Sequence, residues 1–350
     1  MFTPIIIFAC PGGAAALSAT HLRRVQDPAP VRKGQGRRGL CTKAKDIKDM
    51  NKTLYFAGGC FWGTEHFFKG IDGVSQTTPG YANGSLDNPS YEQVYTDSTG
   101  HAETVKVVYD PARVSTAKLV KLFFASIDPL SLNRQGHDVG TRYRTGVFYT
   151  DPSDLPAIRS EFEAASLRLG ADPVTELLPL KSFWGAEERH CDYLDKNPDG
   201  YCHLPLKAFK YLRLYQDAEL MLGDEQDSTA RQAQTAALIA ERMKFFWTGF
   251  YRVIGDTLVL GPFQGPPACF RIKRGRGVCG TAWERKSTVV VPDVEEFPGH
   301  IACSSLSRSE IVVPVFCSGE VSAVLDIDST SLGTFDETDA VWLEMICELL

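Results

Sequence analysis

The sequence predicts an α+β protein made of two successive units, and three features carry that expectation. Thr104 to Tyr109 alternates apolar and polar residues and stops at Asp110-Pro111, the pattern of a strand ending in a turn. Between such runs lie stretches with helical spacing, as from Asp154 to Leu169, where Leu155, Ile158, Phe162 and Leu167 recur on one face. From Thr229 onward the order changes to an alanine-rich helix, several short strands and a closing amphipathic helix from Glu337 to Leu349. Strands interleaved with helices at this density indicate the α+β class.

In chain order, Leu54-Tyr55-Phe56 reads as a buried strand, Gly58-Gly59 as a turn and Phe61 to Lys69 as a helix. Ser115 caps a helix from Ala117 to Ser126, Thr145 to Tyr149 is a strand closed by Asp151-Pro152, and Pro173 to Leu178 is another strand. Asn197-Pro198-Asp199-Gly200 is turn chemistry, which leaves Tyr201-Cys202-His203 in a loop. A helix from Tyr211 runs into the polar Gly223 to Asp227, taken as the boundary. Thr229 to Lys244 is helical. Strands then follow at Gly249 to Ile254, Thr257 to Leu260, Ser287 to Val291, Glu310 to Phe316 and Val321 to Asp326.

At 350 residues the chain has room for about two domains. The organisation expected is a basic N-terminal extension (1–49), a first domain (50–212), a linking helix (213–227) and a second domain (228–350). The net charge of −6 conceals a split: residues 1–49 carry nine bases and three acids, so the remainder is −12. An acidic body argues against nucleic acid as a partner. No run reaches the ~18 apolar residues of a membrane span. The basic, acid-poor extension resembles an organelle transit peptide, which would direct the protein to a mitochondrion or plastid; without it, Met50 would start a cytoplasmic form. The ten cysteines include no C-x-x-C pair and no regular spacing, which points to reduced thiols, a few of them doing redox work.

Cys60 falls where the first strand turns into the first helix. Unpaired amides and the helix dipole at such a position favour a thiolate, so Cys60 is a candidate nucleophile, with Phe61 and Trp62 as an apolar wall beside it. Gly-Cys-Phe-Trp-Gly (59–63), Asn-Pro-Ser-Tyr (88–91) and Gly-His-Ala-Glu (100–103) stand in this order in the chain. Arg-Gln-Gly-His-Asp-Val-Gly-Thr-Arg-Tyr (134–143) and Asn-Pro-Asp-Gly-Tyr-Cys (197–202) follow them. Together these motifs resemble the A-type peptide methionine sulfoxide reductases over roughly residues 52–210. The resemblance implies a two-layer α/β domain that reduces methionine-S-sulfoxide without a cofactor. It implies Cys60 as nucleophile, Glu103 as acid, Tyr91 and Tyr143 as donors to the sulfoxide oxygen, and Asp138 as a contact for the substrate main chain. Phe61 and Trp62 would hold the methyl group. Attack leaves a sulfenic acid that a second thiol must condense with; Cys202, after a glycine-rich turn, is that thiol, and thioredoxin is the implied reductant. The chain departs from longer relatives after Cys202, continuing as His203-Leu204-Pro205-Leu206-Lys207 where they carry a Gly-rich tail and a third cysteine. Cys191 reads as incidental, with an auxiliary thiol as the alternative, and the spacing of His190, Cys191, Cys202 and His203 matches no common zinc motif, so no metal is expected.

The second half carries its own set: Trp247 to Tyr251, Leu258 to Gly265, Cys269, Gly275 to Ala282 with Cys279, and Gly-His-Ile-Ala-Cys (299–303). Ser309 to Val312 and Leu325 to Ser329 complete it. These resemble the GAF-fold free methionine-(R)-sulfoxide reductases and imply a central antiparallel sheet. By that resemblance Cys303 is the nucleophile, Cys269 the resolving thiol and Cys279 a third exchanging thiol. Glu310, Asp326 and Asp328 would form an acidic pocket for the ammonium of a free amino acid, one of them acting as acid, with Trp247 and Tyr251 cradling the methyl and sulfur. Cys317 and Cys347 read as structural. The whole chain is therefore expected to be a bifunctional sulfoxide reductase acting on oxidised proteins and free methionine sulfoxide. The competing readings are an A-type enzyme with a GAF ligand sensor, and a thiol redox sensor.

Overall fold

The first sheet starts with Lys52–Gly58 (β1), which turns through Gly59 into Phe61–Lys69 (α1). The turn needs glycine: Gly59 has φ 84°, and a Cβ there would sit 2.7 Å from the Gln135 side chain. Val74–Ala82 (β2), Tyr91–Tyr95 (α2), Ala102–Tyr109 (β3) and Thr116–Ser126 (α3) follow, the last capped by Ser115, which accepts from the Lys118 amide at 3.1 Å. A two-residue ladder, Arg134–Gln135 (β4) and Asp138–Val139 (β5), precedes Thr145–Tyr149 (β6), Leu155–Leu169 (α4), Glu176–Pro179 (β7), Phe183–Gly185 (β8) and Tyr193–Lys196 (α5). The six-stranded sheet runs β7-β6-β1-β3-β2-β8, with β6 and β7 parallel and the other neighbours antiparallel. This computed structural model describes residues 51–301 and 304–350; the basic extension with its targeting expectation, and Cys303, lie outside the described residues.

Leu206–Leu222 (α6) and Ser228–Met243 (α7) lead into the second sheet. Its elements are Trp247–Ile254 (β9), Thr257–Gln264 (β10), Arg271–Lys273 (β11), Gly277–Arg285 (α8), Val289–Val291 (β12), Ser309–Cys317 (β13), Glu320–Ser329 (β14) and Glu337–Cys347 (α9). The order β11-β10-β9-β14-β13-β12 is antiparallel throughout. The α+β class expected from the sequence is the one observed. Among the described residues no helix is long and apolar enough to cross a membrane.

Two elements escape the sequence pattern. Strand β2 contains Pro79 and Gly80, residues that normally demote a strand, yet Pro79 pairs with Val105 and its carbonyl accepts from the Ala186 amide at 2.9 Å. Helix α8 opens Gly-Val-Cys-Gly, a composition that reads as loop; it is held by burial of Val278, Cys279, Ala282 and Trp283.

The core around β1, α1 and β3 has Phe56 stacked on Phe68 at 4.3 Å. That core continues into the second half: Tyr211 of α6 lies parallel to Trp342 of α9 with centroids 6.3 Å apart, and Phe67 meets the same indole at 6.3 Å. Trp342 is fully buried, and an aromatic so placed costs about 3–5 kcal/mol to delete. Lys207 and Tyr211 both reach the Asp339 carboxylate at 2.7 Å. The described residues therefore pack as one compact unit.

Candidate active sites

Cys60 is the N-cap residue of α1 and is buried. The amide of Phe61 donates to Oε2 of Glu103 at 3.0 Å, which draws the β3 carboxyl up to the turn. Burial pushes the Glu103 carboxyl up to about 8 against that hydrogen bond, so at neutral pH it is largely protonated and able to donate. The Cys60 thiol is pushed well up by burial and then by Glu103, with a Trp62 amide working the other way. The thiolate expected from the helix terminus is thus corrected: desolvation outweighs the dipole, and the resting group is a thiol.

Tyr91, the first residue of α2, is held up to about 12 by burial first and then by Glu103 and Cys60. Tyr143, buried in a short turn after β5, is likewise raised by burial and then by Glu103. The two phenols and Asp138 therefore gather around the Cys60–Glu103 pair. Arg142 fixes Tyr143, lying 4.3 Å over its ring and 4.2 Å over Tyr95 while pairing with Asp97 at 2.6 Å. On the outer side Trp62 stacks on Tyr193 at 3.8 Å, and its indole N–H is 3.3 Å from His190 Nδ1. An open groove of about 440 Å³ runs along Trp62, Tyr91, Tyr95, His190 and Tyr193. Glu187 braces it from below, accepting from the Tyr81 hydroxyl and the Tyr91 amide at 2.8 Å each. Tyr193, His190, Glu187 and Arg142 carried no role in the sequence reading, although Arg142 and Arg-His (189–190) lie in or beside the quoted motifs.

Cys202 lies against α1: a Cβ on Gly63 would fall 3.0 Å from its Sγ. His203 packs beside it with Nε2 2.8 Å from the Gly58 carbonyl oxygen. Donor atoms of Cys60, Asp138 and His203 lie within 4.8 Å of one another, and those of Cys279, Glu310 and Asp326 do the same. Among the described residues these two sets, and not the His190–Cys202 group, have the spacing to hold a metal ion. Cys191 turns its thiol to the Glu187 carbonyl oxygen at 4.0 Å.

In the second sheet, register decides the site. Glu310 of β13 faces Asp328 of β14, and Asp328 faces Trp247 of β9, while Asp326 faces Gly249 two residues along. The two-residue side-chain period then puts Glu310, Asp326, Asp328, Trp247 and Tyr251 on one face. Trp247 and Tyr251 stack at 6.0 Å, and the indole N–H donates to the Pro266 carbonyl at 3.0 Å. Cys279 of α8 closes the floor with Sγ 4.0 Å from Glu310 Oε1. Burial drives the Glu310 and Asp326 carboxyls well up, with neighbouring carboxylates adding to it, whereas Asp328 rises to about 6. Asp328 is therefore the member that carries charge at neutral pH. Two small cavities of about 30 and 20 Å³ meet at Ser307, Asp326 and Asp328. His300 stands 3.8 Å from Glu310, and Ser307 bonds to Asp328; neither had been assigned a part. Cys269 is disulfide-bonded, whereas Cys279 is free; Cys317 is exposed at the end of β13 and Cys347 buried in α9.

The family model for peptide methionine sulfoxide reductase matches residues 52–218, and that for the GAF domain matches residues 225–350. The peptide methionine sulfoxide reductase MsrA of Clostridium acetobutylicum is 50% identical over 159 residues, 45% of this chain and 98% of that protein. MsrA of Lachnoclostridium phytofermentans is 48% identical over 160 residues, 46% of this chain and 96% of its own. Among solved structures, the free methionine-R-sulfoxide reductase from Neisseria meningitidis in complex with its substrate is 53% identical, with 40% of this chain and 84% of that one covered at a TM-score of 0.39. The chain belongs to the peptide methionine sulfoxide reductase family of the A type, with a GAF domain behind it.

Proposed function

We propose that the chain is a bifunctional methionine sulfoxide reductase, its first part (50–212) acting on the S epimer in peptides and as the free amino acid. Its second part (228–350), joined through 213–227, acts on the free R epimer. The observation that carries the first activity is a buried, protonated Glu103 held at the Cys60 turn beside an aromatic groove. Cys60 sulfur attacks the sulfoxide sulfur; Glu103 gives its proton to the oxygen and takes up the Cys60 thiol proton in exchange, with Tyr91 and Tyr143 donating hydrogen bonds to that oxygen. Asp138 contacts the substrate main chain, and Phe61 and Trp62 enclose the methyl. Oxygen passes to Cys60 as a sulfenic acid and the thioether leaves. Cys202 then displaces water to form a disulfide, which a thioredoxin dithiol reduces.

In the second part Cys303 is the nucleophile, Cys269 resolves it and Cys279 exchanges with them. Asp328 binds the ammonium, and protonated Glu310 or Asp326 supplies the proton. Trp247 and Tyr251 take the methyl. Support comes from three buried carboxyls gathered at a thiol, an arrangement a passive ligand sensor does not need. The test is an epimer-resolved assay on full-length Cys60→Ser and Cys303→Ser. Each should lose one activity and keep the other; absence of free R-sulfoxide turnover in the wild type would leave the GAF part a sensor.

A further inference from the structure

His203 is an ionisable side chain at the first site with no part in the chemistry above. Its Nε2 is 2.8 Å from the Gly58 carbonyl oxygen, which can only accept, so Nε2 carries the hydrogen and the neutral ring presents Nδ1 as a bare lone pair. Nδ1 is buried and has no hydrogen-bond partner. Cys202 Sγ and His203 Nδ1 each lie 3.0 Å from the point a Cβ on Gly63 would occupy, and so are no more than twice that apart. On the other side, His203 is within 4.8 Å of the Cys60 sulfur. The imidazole thus lies close to both thiols that must join, in a space that exists because residue 63 has no side chain.

We propose that His203 is the base that takes the proton of Cys202 when the Cys60–Cys202 disulfide closes. This rests on the reading of Cys60 and Cys202 given above. Burial holds the Cys202 thiol up, so it does not ionise unaided, and burial also keeps His203 neutral. In the step, the S–H proton moves to Nδ1 and the Cys202 sulfur bonds to the Cys60 sulfur. The Cys60 S–O bond breaks, and the departing hydroxide takes the Glu103 proton to leave as water. Imidazolium then returns a proton to Glu103 through solvent, so the step is neutral overall and needs no outside reagent.

The test follows closure directly in the full chain, by mixing reduced protein with a blocked methionine-S-sulfoxide peptide and quantifying sulfenic acid and disulfide over time. His203→Gln keeps a donor for Gly58 but offers no base. It should give one equivalent of product, accumulate Cys60 sulfenic acid and close about 100-fold more slowly, the lower range for a general base. The groups around His203 are Cys60 at the start of α1, by then a sulfenic acid, Asp138 on β5 and Cys202 beside it, with Glu103 of β3 beyond Cys60; burial keeps the Cys202 thiol and Glu103 protonated at acid pH. Wild-type closure should therefore show an inflection below the ordinary histidine value of 6.5, absent from the variant. Closure at the wild-type rate in His203→Gln, or slowed closure with the inflection kept, overturns the proposal. Should the variant not fold, wild-type closure without an inflection between about pH 5 and 7 overturns it equally. A wild type that forms no sulfenic acid on Cys60 sinks the parent reading instead.

Discussion

Tyr211 of α6 donates a 2.7 Å hydrogen bond to Oδ1 of Asp339 on α9, and both side chains are buried. The same carboxylate takes the Lys207 ammonium and the Asp336 amide, so one acid gathers three donors at the seam between the two sheets. Tyr211→Phe removes one of them while preserving the ring against Trp342. The expected loss is about 1.5–3 kcal/mol, the scale for a hydrogen bond to a charged group. Urea denaturation followed separately in each half should show both shifting together; a loss confined to one half would mean the seam does not couple them.

Glu103→Gln should cost sulfoxide turnover by about 10²–10⁴, as expected for removal of a general acid. Stability should move the other way. The folded carboxyl titrates near 8 and its ordinary value is 4.5, so the native state holds its proton while the unfolded chain releases it. Wild-type stability therefore falls as pH rises through this window, at up to about 1.4 kcal/mol per pH unit. The variant should gain on the wild type as pH goes from 5 to 8 in thermal melts. A stability difference that is flat across that range would contradict the buried, protonated state.

Cys202→Ser should give one equivalent of reduction and then stop, with Cys60 trapped as the sulfenic acid. Thioredoxin-linked turnover should collapse because no Cys60–Cys202 disulfide forms. Mass spectrometry of the trapped enzyme checks the first point. Undiminished steady-state turnover would pass the resolving role to Cys191 or to the reductant itself.

Asp328→Asn should reduce turnover of free R-sulfoxide by about 10-fold or more, the scale of one charge-assisted contact. Asp328 ionises near 6, so in the wild type KM should rise as pH falls below that value, and the variant should lose this dependence. N-acetyl-methionine-R-sulfoxide lacks the ammonium and should be a poor substrate. Equal turnover of the blocked and free forms would remove the ammonium site.

The strand-turn-helix around Cys60 was legible because its apolar run, paired glycines and helical spacing all agree. Asp326 and Asp328 were placed on one face by alternation alone. Two things were not legible. Strand β2 and helix α8 are held by their neighbours against their own composition, so local pattern pointed elsewhere. His203 and Tyr193 acquire meaning only through contacts 145 residues away with Gly58 and across the groove with Trp62, which no local spacing encodes. The charge state of Cys60 was missed for a related reason: a helix end is visible in sequence, whereas the desolvation that overrides it is a property of the packed core.

The core shared through Phe67, Tyr211 and Trp342 also bears on what a cut in the backbone would do. A protease that cuts the exposed loop between α6 and α7 severs the backbone but none of the aromatic contacts or the grip on Asp339. The two fragments should stay clamped and elute together until denaturant parts them. Expressed separately, each would present to water the apolar face that its companion normally covers.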